Sequence, residues 1–371
     1  MSTPLPPTHR ALVLESITAG FSVKTIATPH PGLGNAIIHI AAAGIISYHR
    51  EVYNGARSYS FPQPIVGGLS AIGRVAALGP DSTALKPGQL VYVDCVIHSR
   101  DDPDDLFLTA IHEGQTPGSR KLISEIWRDG TWAEYARVPL ENCFALDEER
   151  LCGELKYTVP DLLYMSYLLV PYGGLRDIRV EPGETVIVVP ATGGFGGAGV
   201  MTAVAMGARV IAVGRNEGEL VRLKGLVKRG SPNAGIETVR LVGDEMVDAD
   251  AMKAFGVVDA VVDFTPPQAA KSAPHVKSAI WALRRNGRVS LMGWNEAVMV
   301  PHVVSRNITL KGKLMYERED ILQFIKMLER GLFPRGENFV DTKAFKLEDW
   351  KEALDVGAEH TGMGKFVVFT P

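Results

Sequence analysis

Cysteine is scarce. Cys95, Cys143 and Cys152 are the only three, and they form neither a C-x-x-C pair nor an even framework. That excludes a disulfide-stapled scaffold and reads most simply as reduced thiols in a reducing compartment. Charge of one sign is also missing: the formal net charge is −3 with no long block of like charges. Electrostatic capture of nucleic acid or an anionic membrane is therefore not expected. The opening residues, MSTPLPPTHR, lack the apolar core of a secretory leader, and cytoplasm is the expected compartment. One uncharged run, 185–208, is long enough to span a bilayer, but Pro190 and six glycines within it argue against a spanning helix. The 371 residues favour two domains, and 46% hydrophobic with 22% charged residues fits an ordinary soluble globular protein.

What is present centres on residues 185–216. Strand-favouring Thr185 to Val189 leads through Pro190 into the loop Ala191-Thr192-Gly193-Gly194-Phe195-Gly196-Gly197. A helix-compatible run follows, then a second apolar strand, Arg209 to Val213. Strand, glycine loop, helix and strand make the opening βαβ unit of a dinucleotide-binding fold. The loop reads A-x-G-x-x-G, with Ala191 in place of the first glycine. Gly193 and Gly196 are expected to let backbone N–H groups reach a pyrophosphate that a Cβ would obstruct, with the positive end of the helix behind them. The second strand ends Val213-Gly214-Arg215-Asn216, with no carboxylate at its tip to hold a free ribose 2′-hydroxyl. Gly214 makes room, and the planar guanidinium of Arg215 suits a 2′-phosphate, so NADP(H) is the expected cofactor; the plainer alternative for Arg215 is a solvated surface arginine. Glu217 and Glu219 read as the start of the next helix.

Along the rest of the chain the first third is β-rich, with short apolar runs cut by glycine and proline. Ser99 to Trp127 reads as a solvated excursion with one short helix near its end. An amphipathic helix over Val159 to Val170 leads toward the second domain. From Glu217 to Met292 strand and helix patterns alternate, which means a parallel sheet covered by helices on both faces. Beyond Val303 a strand, two helices and a closing strand, Lys365 to Phe369, are expected to rejoin the first domain.

Several short motifs recur at telling places. Gly44-Ile45 opens a polar loop, Gly73-Arg74-Val75 and Gly79 make G-x-V-x-x-x-G, and Lys86-Pro87-Gly88 makes a turn. Gly130-Thr131-Trp132-Ala133-Glu134-Tyr135 starts a strand, and Gly364-Lys365 precedes the last one. With the cofactor loop, these resemble the medium-chain dehydrogenase/reductase superfamily over almost the full chain, and the loop is similar to that of its quinone-oxidoreductase branch. The resemblance implies an α/β fold: a Rossmann doubly wound parallel sheet, here 159–305, beside a β-rich GroES-like substrate domain formed by 1–158 and 306–371. It also implies a homodimer and hydride transfer to a small-molecule substrate in a cleft between the domains. The departures are as informative. Where zinc-dependent members carry a Cys, a His-Glu pair and a distant Cys or Asp, this chain has Ile46, Leu69, Ser70 and Val170 or Pro171. None ligates zinc well, and no metal is expected. His112-Glu113 lacks the second histidine of H-E-x-x-H and reads as a loop pair.

Without a Lewis acid, hydrogen-bond donors must stabilise the charge that develops as hydride arrives, each worth about 3–4 kcal/mol at best. That suits an acceptor already activated by conjugation, an enone, enoyl group or quinone. Tyr48 stands where the zinc-dependent relatives carry a hydroxyl proton relay, and is the candidate donor or general acid, with Ser47, His49 and Tyr53 as helpers. The plain alternatives are a packed aromatic for Tyr48 and a structural histidine for His49. Tyr172 either lines the cleft or simply packs. Gly293 and Trp294 follow a strand end, where this fold binds ligands; Trp294 either covers a flat substrate or fills a subunit contact. Two other readings stand beside an NADPH-dependent C=C or quinone reductase: a zinc-free carbonyl/alcohol oxidoreductase, and a nucleotide-binding member with a non-redox role.

Overall fold

A computed structural model describes residues 4–271, 273–296 and 299–371. Contacts divide the chain into two units: residues up to 166 with 341–361 and 366–371, and residues 167–340 with 362–365. The expected return at 306 is displaced. Residues 306–340 stay with the second unit because Thr309–Gly312 pairs in parallel with Arg288–Leu291 as the outermost strand of its sheet. The early boundary also shifts, since the helix Val159–Leu162 belongs to the first unit.

The first unit is antiparallel. Thr8–Ser16 pairs with Gly20–Ala27 and with Ile65–Val66. A larger sheet runs Cys143–Ala145, Leu90–Val93, Ala71–Leu78, Asn35–Ile45, Lys365–Phe369, Asp341–Phe345, with Tyr135–Pro139 added alongside Asn35–Ile45. The long strand Asn35–Ile45 is buried at every position but His39 and Ala41, as a strand covered on both faces should be. Trp132 is fully buried and donates its indole N–H to Gly44 O at 3.2 Å. Its bed is made by absence: a Cβ on Gly67 would lie 2.5 Å from the indole, and one on Gly68, whose φ is +104°, would lie 2.7 Å from the Trp132 nitrogen. Phe21, His49, Tyr53 and Phe369 surround the ring at centroid distances of 5.0–5.5 Å.

The excursion after Ser99 is more than a solvated loop. Leu106–Leu108 pairs with Val96–His98, and the helix Pro117–Lys121, capped by Thr116, continues into a wider turn over Leu122–Ile126. Ile97, Phe107 and Ile123 are buried together beneath it, with Leu122 and Trp127 packed against them. Acidic Asp101 to Asp105 disguised these scattered apolar anchors in the sequence.

The second unit carries the expected parallel sheet. Its order is Ile236–Arg240, Arg209–Gly214, Thr185–Val189, Ala260–Asp263, Arg288–Leu291, Thr309–Gly312. Numbered from Thr185 that is 3-2-1-4-5-6, the doubly wound order whose switch point lies between its first and fourth strands. Every residue of Thr185–Val189 and Ala260–Asp263 is buried, which is why their centres, Val186 to Val189 and Val261 to Val262, are continuous Val and Ile rather than alternating. No helix among the described residues is long and apolar enough to cross a membrane.

Trp132→Ala should destabilise the protein by about 3–5 kcal/mol, since it empties a fully buried ring site and leaves Gly44 O without its donor. Urea unfolding followed by circular dichroism measures this; a loss under about 1 kcal/mol would mean the site collapses around the smaller side chain.

Candidate active site

The carboxyl end of Thr185–Val189 and the helix Gly194–Ala205 meet at the glycine loop. Gly193 occupies the cap position and is exposed, with nothing within 4 Å of where its Cβ would be. Backbone and space are therefore open to an anion at the positive end of the helix. Gly196 also has a packing role: a Cβ there would sit 1.9 Å from Pro190 O, so its absence lets the helix press onto the strand end. Gly194 makes way for Tyr167, whose ring would lie 2.7 Å from an added Cβ and stacks on Phe195 at 4.6 Å. Ala191 is tied down by donating its N–H to Val213 O at 2.7 Å. Gly214 accommodates the Thr192 methyl, 2.8 Å from the Cβ it lacks.

A groove of about 800 Å³ opens here, lined by Thr192, Gly193, Arg215, Asn216, Pro266 and His275 among others. Arg215 is exposed at its rim. Asn216 caps the next helix, Glu217–Gly230, accepting from Glu219 N at 3.1 Å, so its amide is engaged by the chain itself. Glu217 opens that helix and lies 3.6 Å from Arg240. Three further polar residues are linked here, of which His275 lines the groove. Asp263, at the buried end of its strand, accepts from Thr265 N at 2.8 Å and from Thr265 Oγ1 at 2.5 Å. Thr265 Oγ1 lies 2.8 Å from His275 Nε2, and since its proton goes to Asp263, the imidazole is the donor there. Burial pushes the Asp263 carboxyl up to about 6 against the pull of its Thr265 and Asn295 hydrogen bonds, and burial together with Arg215 lowers His275. The signal available in the sequence was a polar Asp-Phe-Thr directly after an apolar strand.

Gly293 is required by close approach: an added Cβ would be 2.2 Å from Thr265 N. Trp294 donates its backbone N–H to Thr265 O at 2.8 Å and leaves its side chain 64% exposed. Tyr172 packs edge-on against Phe324 at 5.3 Å with the Arg176 guanidinium 5.8 Å away, in the same unit as the cofactor loop but away from its groove lining.

In the first unit the loop after Gly44 holds the remaining candidates. Tyr48 is half-buried and precedes the short helix His49–Tyr53, with Ser47 beside it. Two expected helpers turn out to belong to the core. His49 is fully buried, accepts from Ile46 N at 3.2 Å through Nδ1, and stands edge-on to Trp132 at 5.0 Å; burial lowers its pKa to about 3, so it is neutral across the working range. Tyr53 donates to Ala110 O at 3.1 Å and accepts from Gly68 N at 3.2 Å, and burial raises its phenol well above the ordinary value. Both fasten the loop. Neither offers a proton.

The metal positions do not fit a metal. Ile46 and Leu69 are buried hydrocarbon, and Ser70 Oγ bonds Tyr92 OH at 3.1 Å. Among the described residues no group of three His, Cys, Asp or Glu side chains is arranged to hold an ion. Burial pushes the Cys143 thiol up to about 12, as befits an inert core cysteine.

The sequence matches the alcohol dehydrogenase GroES-like domain over residues 32–148 and the zinc-binding dehydrogenase domain over residues 194–330. It is 23% identical over 354 residues to alcohol dehydrogenase 1 of Caenorhabditis elegans, covering 94% of this chain and 93% of that one. It is 28% identical over 209 residues to acryloyl-coenzyme A reductase of Metallosphaera sedula, covering 56% and 59%. Among solved structures it is similar to an alcohol dehydrogenase from E. coli CFT073 complexed with NADH, with a TM-score of 0.77 and 17% identity over 99% of this chain and 100% of that one. A putative alcohol dehydrogenase from Sinorhizobium meliloti gives 0.75 and 22% over 99% and 98%.

His49, with a pKa of about 3 folded against 6.5 unfolded, makes the unfolded chain bind the extra proton in that interval, so its neutral burial favours the fold above pH 6.5 and costs stability as pH falls toward 3. His49→Gln should flatten the dependence of unfolding free energy on pH by about 1.4 kcal/mol per unit in that interval. Denaturation curves at a series of pH values read the slope; an unchanged slope would place a charged imidazole in the folded protein.

Proposed function

Because the chain belongs to the medium-chain dehydrogenase/reductase superfamily and is an oxidoreductase of that family, we propose that it reduces an activated C=C bond, or a quinone, with NADPH and without a metal. The observation that carries this is the replacement of the metal donor set by Ile46, Leu69 and Ser70 while the cofactor loop is intact. A hydrocarbon-lined position supplies no Lewis acid, so the acceptor must bring its own activation. The relative named as an acryloyl-coenzyme A reductase acts, by its name, on a C=C bond conjugated to a thioester.

NADPH fits the residues present. The N–H groups at Gly193 to Phe195 take the pyrophosphate, and Arg215 takes the 2′-phosphate at a strand tip that holds no carboxylate. Asp263 and Thr265 orient His275 along the groove wall. When bound, the nicotinamide supplies the hydride. Tyr48 then donates its phenolic proton to the enolate or quinol oxygen that forms and recovers one from solvent. Buried His49 and Tyr53 keep the Tyr48 loop in place, and Trp132 holds the start of that loop through Gly44 O. The exposed Trp294 is assigned to covering a flat acceptor, and Ser47 to a supporting hydrogen bond.

Arg215→Ala should weaken NADPH binding about 10–100-fold and leave NADH within about twofold, from the loss of one charge-assisted pair. Fluorescence titration of both cofactors measures it; equal loss for both would remove the 2′-phosphate assignment. Tyr48→Phe should lower kcat about 100-fold or more with an enone or quinone while cofactor affinity holds. Product analysis of the same reaction distinguishes a reduced C=C bond from a reduced carbonyl, which would favour the carbonyl/alcohol alternative. Cofactor binding with no turnover of any acceptor would leave the non-redox reading.

A further inference from the structure

Beside Tyr48, in the segment that follows its helix, stands Arg57. Its guanidinium carbon lies 4.1 Å from the centre of the Tyr48 ring and 4.9 Å from that of Tyr59. The two rings are 6.3 Å apart and nearly perpendicular, at 76°, so the cation occupies a corner between them. The corner is itself braced. Tyr59 meets His112 edge-on at 5.2 Å, Arg57 N donates to Glu51 O at 2.8 Å, and Glu113 N donates to Ser60 O at 2.8 Å. Elsewhere several half-buried arginines meet a carboxylate, Arg74 with Glu148, Arg176 with Asp320, Arg284 with Asp259 and Arg288 with Glu184, while Arg209 donates to Phe255 O. Arg57 is equally half-buried, yet no carboxylate among the described residues pairs with it. The nearest carboxylates in the segment, Glu51 and Glu113, form no ion pair with Arg57 among the described residues. Arg50 pairs with Asp355, and burial holds His49 and His112 toward their neutral forms.

A guanidinium offers ring faces one of its planes and keeps its N–H edge for a carboxylate or phosphate, which it binds bidentately. Fixing that plane against aromatic rings beforehand removes much of the rotamer entropy that a free arginine loses on binding. From this arrangement we infer that Arg57 recognises an anionic group on the acceptor, so that the substrate is an activated C=C compound bearing a carboxylate or a phosphate rather than a neutral enone or quinone. The inference rests on Tyr48 as the proton donor, because it places the anion one side chain away from the group that serves the reacting atoms. With a net charge of −3 over the whole chain, attraction of an anion depends on such a local cation.

The test compares three acceptors: crotonyl-coenzyme A, whose anionic groups are phosphates, acetylacrylate, an enone carrying a carboxylate, and neutral methyl vinyl ketone. In Arg57→Met the ratio of kcat/KM for an anionic acceptor to that for methyl vinyl ketone should fall at least about tenfold, chiefly through KM, and Arg57→Lys should recover part of it. The acceptor that responds, thioester or carboxylate, identifies the anion. A ratio unchanged for both overturns the inference. Calorimetric binding of the saturated analogues butyryl-coenzyme A and levulinate to the NADPH-loaded protein is read separately from turnover. Binding that weakens in Arg57→Met upholds the anion site even where no acceptor is reduced, in which case the reductase reading alone fails. Reduction of methyl vinyl ketone with no binding of either anion overturns the anion site and leaves the reductase standing.

Discussion

The contact between Gly196 and the carbonyl of Pro190 governs the second unit. With no Cβ, the helix Gly194–Ala205 descends until backbone nearly touches backbone, and the same helix repeats the device twice more. An added Cβ on Gly197 would meet the Met363 backbone at 2.5 Å, and one on Gly199 would meet the Phe264 ring at 2.9 Å. A helix seated this low carries its N-terminus directly over the end of the central strand. The phosphate-binding end of the fold is thus produced by packing, and Gly193 is left as the one glycine of the loop that faces open space.

That distinction explains how much was legible beforehand. The βαβ unit was plain because its signals are local: an unbroken Val and Ile strand, a glycine cluster, and a second strand ending at Gly214. The division of labour among the glycines was not, because it depends on what each missing Cβ would strike. The close approach of Gly196 to Pro190 O has no counterpart in the residue pattern. Likewise Thr309–Gly312 read as a strand leaving the sheet, since only the partner chosen by Arg288–Leu291 reveals that it stays. The linked residues Asp263, Thr265 and His275 were invisible for a related reason: a hydrogen-bond chain across loop and helix has no periodicity to betray it.

On the substrate loop, neighbours in sequence have opposite fates. Ser47 and Tyr48 stay partly exposed while His49, one residue on, is sealed beside Trp132, and Tyr53 closes the helix from within. Polar residue type alone had grouped all four. Desolvation separates them, since a histidine held neutral by burial and a phenol locked between Ala110 and Gly68 are supports for a donor and not donors themselves. At the positions the resemblance matches to metal ligands, Ile46 and Leu69 are buried hydrocarbon and the Ser70 hydroxyl is bonded to Tyr92.

The strand Lys365–Phe369 pairs antiparallel with Asn35–Ile45 in the interior of the larger antiparallel sheet, with Asp341–Phe345 on its other side. Ribosomes deliver those partners far apart in time, with the whole parallel sheet emerging in between. Until Lys365–Phe369 has been made, the end of the long strand over Ala43–Ile45 lacks its partner on that side. A chain truncated before Lys365 leaves that strand end as an edge open to pairing with another chain.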